Sequence, residues 1–566
     1  MATLDEALRI GVQHHQGGRL DAAAAIYRRV LAVVPDDGNA LHLLGLATLP
    51  GDLRRGRRLL VRAVRAAPVL APAQSNLARQ FMLAGCFADA DAACRRAIAA
   101  APDLGDAYGN FAAAQLGLDR ADEACAAHRR QLRINPADTG GWIGLGNAER
   151  RAGRDAAAIA AWRQALRRDP GVAAPYGNLG IALKDIGQGD AGIACHRRAL
   201  ALHPENPDFH LNHGVALRDL ARLEDAEAAF NRALRLRPGH AGTLVNRAHG
   251  RLVGGDFARG LPDYEARWRF VGAAPRRVAG EPWDGTPLDG RTILVHCEQG
   301  LGDTLLFCRY VPLIAKLGGR VVLEVQAPLE RLMRSLDGVE RLVVKDRDPL
   351  PACDRHAPIA SLPWLFRSTL ETLPAEVPYL RPQPDDVARW RARIGAGQGV
   401  CVGLVWAGNP AFAADRFRSP RLEAVLPLLQ VPGVRFFGLQ AGDGLRDLEG
   451  RAMPASFTSL AGEVGDFLET AAATAAMDVV VTCCTAQAHL SGALGTPVWG
   501  MFNLAPDWRW LLEREDCPWY PSMRMFRQTR WGDWTPVMRR IAMELRRLAA
   551  GDRSGLAPFL SRRPAI

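Results

Sequence analysis

Residues 478–500 read DVVVTCCTAQAHLSGALGTPVWG. An apolar, β-branched run stops at Thr482. A small-residue stretch restarts near Thr485 and ends at Gly495, with Pro497 just beyond. Uninterrupted valines suit a strand buried on both faces, and a glycine followed by a proline is a helix stop. The next apolar run, PVWGMF (497–502), follows at once. Strand, helix and strand at this spacing predict a parallel βαβ unit. The helix start offers unpaired N–H groups and a positive dipole end, both suited to a pyrophosphate. Thr485 adds a hydroxyl. His489, one turn in, either faces a cleft or packs against the sheet.

Four further strand-like runs accompany this unit: TILVHC (292–297), RVVLEV (320–325), VCVGLVW (400–406) and VRFFGL (434–439). Helical stretches lie between most of them, which predicts parallel sheets with ligands at the carboxyl ends of the strands. AGEPWDGTPLDG (279–290) and RIGAGQG (393–399) read as linkers. The expected domains are a helical array at 1–274, a linker at 275–291, a first Rossmann-like half at 292–392 and a second at 393–566. A cluster after the first strand of the second half, NPAFAADRFRS (409–419), carries Arg416 and Arg418, which can neutralise phosphate or form an exposed basic loop.

Working back to the amino terminus, prolines fall at 35, 68, 102, 136, 170, 204 and 238. Inside that period of about 34, Ala90, Ala124 and Ala158 share one phase and Ala165, Ala199 and Ala233 another. Gly146, Gly180 and Gly214 share a third phase; Tyr27, Trp162, Phe230 and Tyr264 share a fourth. Small residues at fixed points let paired helices approach, large ones fill the groove, and proline closes each unit. This is the tetratricopeptide pattern: seven repeats over about 4–240 and a degenerate eighth running to about 274. Such arrays stack into a superhelix whose concave face holds another polypeptide. Asn76, Asn110, Asn178, Asn212 and Asn246 recur in phase, with Gly144 interrupting. An amide that donates and accepts can clamp an extended peptide backbone, or bridge neighbouring helices.

The first strand of the α/β half leads into TILVHCEQGLGDTLLF (292–307). The loop Glu298, Gln299, Gly300, Gly302 looks like a phosphate loop, but Leu305 stands where a dinucleotide fingerprint needs its third glycine, and no Gly-Lys-Ser/Thr follows. What remains is a glycine turn with Asp303 at a helix start, either capping the helix or projecting into the cleft as a general base.

Composition narrows the function classes. Hydrophobic residues make up 48% and charged residues 23% of 566. The net charge of +11 is carried almost wholly by dispersed arginines, which argues against a nucleic-acid partner. No run approaches a membrane span or a signal peptide, so a cytoplasmic protein is expected. Eleven scattered cysteines without a CxxC pair argue against disulfides and zinc. Only Cys483–Cys484 are adjacent, and a helix N-terminus can lower a thiol pKa.

The stretches EQGLGDTLLFCRYVPL (298–313), VGLVWAGNP (402–410), DRFRS (415–419), AHLSGALGTPVW (488–499) and PDWRWLLEREDCPWYPSMRMFRQ (506–528) together resemble bacterial tetratricopeptide-repeat glycosyltransferases. The catalytic part of those proteins is related to the heptosyltransferase, or glycosyltransferase family 9, superfamily. The repeats, YGNLGIALKD (176–185) above all, resemble those of protein O-GlcNAc transferases. The resemblance implies an α plus α/β chain: an all-α repeat superhelix, then a GT-B region with its acceptor side at 292–392 and its nucleotide-sugar side at 393–566. It implies metal-independent, inverting sugar transfer from a nucleotide-activated donor, with no cofactor beyond that co-substrate. The acceptor would be a protein Ser/Thr, flagellin being one such acceptor, held in the groove by the asparagines. Asp303 matches the acceptor base and Arg418 a donor-phosphate contact; Cys484, Thr485, Ala486 and His489 match the donor loop and helix. One departure stands out: the family commonly reads Asp-Thr-Ala/Ser where this chain has Cys484-Thr485-Ala486. An altered donor, a replacement contact or lost activity would each fit. The rivals are transfer to a lipid-linked or polysaccharide acceptor, and a non-catalytic scaffold.

Overall fold

The computed structural model describes residues 3–270, 278–395, 399–412 and 415–556. The expected end of the array (271–274), the start of the first linker (275–277), the centre of the second (396–398) and residues 557–566 lie outside the described residues.

Helices come in pairs, beginning with Leu4–Gln16 and Leu20–Val33 and ending with Ala241–Val253 and Phe257–Tyr264, eight pairs in all among the described residues. The periodic residues explain the pairing. A Cβ on Gly11 would lie 2.4 Å from the Tyr27 ring, one on Gly146 2.3 Å from Trp162, one on Gly180 2.5 Å from His196, and one on Gly214 2.6 Å from Phe230. Each glycine therefore admits the large side chain of its partner helix, and Phe230, almost fully buried, contributes about 1.5–3 kcal/mol by leaving water. The alanines of the two small phases are fully buried. The eighth pair is degenerate for a visible reason. Its second helix is eight residues long and contains Pro262, which removes a backbone donor and clashes with the preceding turn.

Contacts divide the chain into two compact units between Glu205 and Asn206. The first holds six helix pairs. The second holds the last two pairs and both sheets.

The first sheet comprises β1 (Glu281–Pro282), β2 (Thr292–His296), β3 (Arg320–Val325), β4 (Val339–Val344) and β5 (Arg355–Pro358), all parallel, in the order β1-β5-β2-β3-β4. The second comprises β6 (Val400–Val405), β7 (Val434–Gly438), β8 (Phe457–Ser459), β9 (Val479–Cys483), β10 (Val498–Phe502) and β11 (Met523–Arg527), all parallel, in the order β11-β10-β9-β6-β7-β8. Read from β8, this is the 3-2-1-4-5-6 order of a doubly wound dinucleotide fold. The chain is thus an all-α repeat region followed by two Rossmann-like halves. The stretch read as a linker at 279–290 is built into the first sheet: it supplies β1 and buries Trp283 and Leu288. No helix among the described residues is long and apolar enough to cross a membrane.

Candidate functional site at the meeting of two switch points

Each sheet reverses its winding direction at one point, between β2 and β5 in the first and between β6 and β9 in the second. Crevices form there because adjacent connections leave to opposite faces. The loop after β2 carries Glu298–Gly300 and leads into the helix Leu301–Phe307. The loop after β9 carries Cys484 and Thr485 and leads into the helix Ala486–Ala493.

The two helices cross at a glycine. A Cβ on Gly302 would stand 2.9 Å from His489 Cδ2 and 3.5 Å from Ala486 Cα. Gly302 is therefore needed for close approach rather than for a turn. Gly300 sits at φ −90°, ψ 173°, open to any residue, and the left-handed position of the loop is Gln299, at φ 57°. The glycine turn expected from sequence is thus a helix crossing plus one strained glutamine.

Asp303 uses both carboxylate oxygens. The Gly300 N–H donates to Oδ2 at 2.9 Å, and Arg509 donates to Oδ1. Arg509 also donates to Asp507 Oδ1 at 2.7 Å. Burial raises the Asp303 pKa above the ordinary carboxylate value, against the pull of Arg509. One arginine thus joins a carboxylate of each half, and Asp303 does cap its helix, as one of the two sequence readings held. The arginine stands on a short turn, Trp508–Trp510, and the next residue, Leu511, is held at φ 52°, ψ −171°, a region nearly reserved for glycine.

His489 is buried, stacks on Trp510 at 4.8 Å and 23°, and places Nδ1 3.0 Å from the Tyr520 hydroxyl. Burial, with Arg509 adding to it, lowers its pKa to about 3, so it is neutral and packed. The Cys484 thiol accepts the Trp510 Nε1–H at 3.0 Å. Burial pushes both Cys483 and Cys484 up in pKa, so the reading of a thiol activated by the helix N-terminus is corrected: desolvation outweighs the dipole. Thr485 is the N-cap residue, but its side chain caps nothing; Oγ1 instead lies 3.2 Å from Thr482 Oγ1.

Arg418, after β6, donates through Nε to the buried Asp415 at 3.2 Å, and its charge acts on Cys484. Arg416 is exposed, with its guanidinium 4.6 Å above Phe417. Glu298 is buried. It accepts from Arg267 at 2.9 and 2.7 Å and from the Ala360 N–H at 3.1 Å. Gln299 Nε2 donates to the Tyr264 hydroxyl at 2.9 Å. The eighth helix pair is thereby fastened to the loop that leads to Asp303. Phe257 and Tyr264 also pack edge-on against Trp508 at 5.8 Å each. Among the described residues no three His, Cys, Asp or Glu side chains gather as a metal site.

In the repeats, asparagine amides bridge neighbouring pairs. Asn76 Nδ2 donates to His42 Nε2 at 3.0 Å, Asn110 Nδ2 to Ser75 O at 3.1 Å, and Asn178 Nδ2 to Asn147 Oδ1 at 2.9 Å. His42 occupies the ladder position of the second repeat, which the asparagine pattern alone did not reveal. Asn246 donates to Gly242 O and accepts from Arg218, each at 2.8 Å. Asn212 is half-buried. Arg509, Asp507, Arg267 and Trp510 were missed from sequence, although the arginine between two tryptophans in PDWRW (506–510) is a visible oddity.

The tetratricopeptide-repeat family profile matches residues 178–241. The chain carries tetratricopeptide repeats followed by an α/β region of two parallel sheets. It is 32% identical over 323 residues to protein FlbA of Caulobacter vibrioides, a match covering 53% of this chain and 54% of FlbA. The chain thus spans about half the length of that relative. Among solved structures, a thermophilic TPR protein of Thermus thermophilus matches at 23% identity and TM-score 0.29, over 32% of this chain and 99% of its own. A tetratricopeptide repeat protein from Parabacteroides merdae matches at 13% identity and TM-score 0.36, over 43% and 97% respectively.

Proposed function

We propose that the α/β region is a metal-independent, inverting glycosyltransferase of GT-B type that moves a sugar from a nucleoside-diphosphate donor to a Ser/Thr hydroxyl of a protein held by the repeats. The observation that carries this reading is the crossing at Gly302. It sets a half-buried carboxylate, Asp303, beside the uncapped start of the Ala486–Ala493 helix, although the two lie some 180 residues apart in sequence. Asp303 takes the acceptor hydroxyl proton; the oxygen attacks the anomeric carbon; the bond from that carbon to the phosphate oxygen breaks. The leaving diphosphate gathers its charge at the free N–H groups of the helix start and at Arg418. Burial raises the pKa of Asp303 and so makes it a stronger base than an exposed carboxylate. Arg509 positions the carboxylate from the opposite half.

The test is donor-dependent mass increase on a co-expressed partner. Asp303→Asn is expected to lower it by about 10²–10⁴-fold, the worth of a general base, while partner capture persists. Unchanged glycosylation would remove Asp303 from the mechanism. A second reading, a scaffold with a non-catalytic fold, is favoured by one observation. The position where the resemblance expects a carboxylate is Cys484, whose thiol is taken by Trp510. Capture with no sugar-dependent mass shift on any partner would decide for it.

A further inference from the structure

Two carboxylates meet on Arg509. The guanidinium donates through Nη2 to Asp303 Oδ1 and through Nη1 to Asp507 Oδ1, the latter at 2.7 Å. It lies 4.8 Å from the Trp508 ring centre and 5.3 Å from that of Phe307, and its side chain is 7% exposed. The two acids reach it differently. Asp507 stands directly before the Trp508–Trp510 turn, and its Oδ1 also accepts the Arg509 N–H at 3.1 Å. Asp507 and Arg509 are therefore an ion pair within one turn, needing nothing from the first half. Asp303 comes to the same guanidinium from that half, 206 residues away in sequence.

Two carboxylates on one guanidinium leave one negative charge without a partner. The other groups that face the pair bring no cation. Glu298 is answered by Arg267, and burial keeps Cys484, His249, His489 and Tyr264 uncharged near neutral pH. Like charges at one site push one pKa up, and the surroundings decide which. The Asp507 side chain is 36% exposed and that of Asp303 17%. Against the burial that would raise it, Arg509 holds Asp507 below the usual carboxylate range, whereas Asp303 lies above it. Alone with Arg509, Asp303 would be a simple ion pair, and an adjacent guanidinium lowers a carboxylate pKa by about 1–3 pH units.

We propose that Asp507 is a positioning residue: by taking the charge of Arg509 within its own turn, it leaves that arginine to orient Asp303 while Asp303 stays able to accept a proton. This rests on the reading of Asp303 as the base, and it assigns the group that keeps it one.

The experiment needs neither donor nor partner. Urea midpoints of the full chain, read by tryptophan fluorescence between about pH 4 and 7, are compared for wild type and Asp303→Asn, then for Asp507→Asn with and without Asp303→Asn. Asparagine still offers an oxygen to the Arg509 N–H, so Asp507→Asn removes the charge and keeps the cap. In the first pair Asp303→Asn should gain on its parent as pH climbs, because a carboxyl with a raised folded pKa loses its contribution there. In the second pair Asp303 should titrate at least about one pH unit lower, beneath its unfolded value. Its contribution is then present above about pH 4 and lost as pH falls, so Asp303→Asn should no longer gain as pH climbs. Asp507→Glu, which keeps the charge, should preserve the wild-type trend. An Asp507 that merely builds the turn would lower both midpoints alike and leave the trend unchanged. That result would overturn the proposal, as would a wild-type gap independent of pH or a trend lost in Asp507→Glu. The transferase reading is scored separately, on the mass of a co-expressed partner. A trend lost in Asp507→Asn without any transfer by wild type removes the transferase alone; transfer with the trend unchanged removes the role of Asp507 alone.

Discussion

Asp303 carries its charge in a place that resists it. Desolvation raises its pKa above the ordinary value of 3.8 despite Arg509 and the Gly300 N–H. The folded state therefore favours the protonated acid. Its contribution to stability is complete below about pH 3.8 and is lost as pH rises through the elevated folded value. Asp303→Asn, which is neutral throughout, should accordingly gain on the wild type as pH climbs from about 4 to 7. Urea midpoints of the two proteins measured across that range check this, and a gap independent of pH would contradict it. Asp303 was legible as a candidate because a helix start follows a strand and a turn. Its partner was not: Arg509 lies 206 residues away, and no local pattern pairs the two. Cys484 was visible as a departure, yet only packing shows that the indole of Trp510 occupies its thiol.

Helices in this chain are held at fixed separations by glycines, and their side-chain neighbours set the tolerance. Gly302→Ala would press a methyl to 2.9 Å from His489 Cδ2, and that ring is locked by Trp510 and Tyr520. Overpacking of this kind costs about 1–3 kcal/mol. Gly300→Ala meets only Asp303 Oδ2 at 3.4 Å and has an ordinary φ, so it should cost less than about 1 kcal/mol. Equal denaturation midpoints for the two variants would refute the crossing as the reason for Gly302. The six strand-like runs picked out from sequence correspond to β2, β3, β6, β7, β9 and β10, because each is mostly apolar and buried along nearly its whole length. β5 escaped notice because it reads RHAP, polar at its start although it pairs with β2 in mid-sheet. β8, with three residues, and β11, with two arginines among five, fall below any apolar-run criterion.

At the scale of the whole chain, the 34-residue period announced eight repeats, but periodicity does not show which of them belong with the sheets. That depends on long-range pairs: Arg267 with Glu298, Tyr264 with Gln299, Phe257 with Trp508. Arg267→Ala leaves the buried Glu298 without its cation and should destabilise the α/β region by about 3–5 kcal/mol, read as a lowered urea midpoint of tryptophan fluorescence. For the same reason a fragment of residues 206–566 should unfold in one cooperative step, while residues 275–566 should not; equal behaviour of the two would place the last repeats outside the folding unit. Every side chain found around Asp303 and the Ala486 helix start lies beyond residue 240, so the first six pairs contribute none of them. The junction at 205/206 is therefore a natural splice point. On the function proposed above, arrays of other length or groove chemistry grafted there would act as interchangeable addresses, redirecting which protein is engaged while Asp303 and the Ala486 helix start stay as they are.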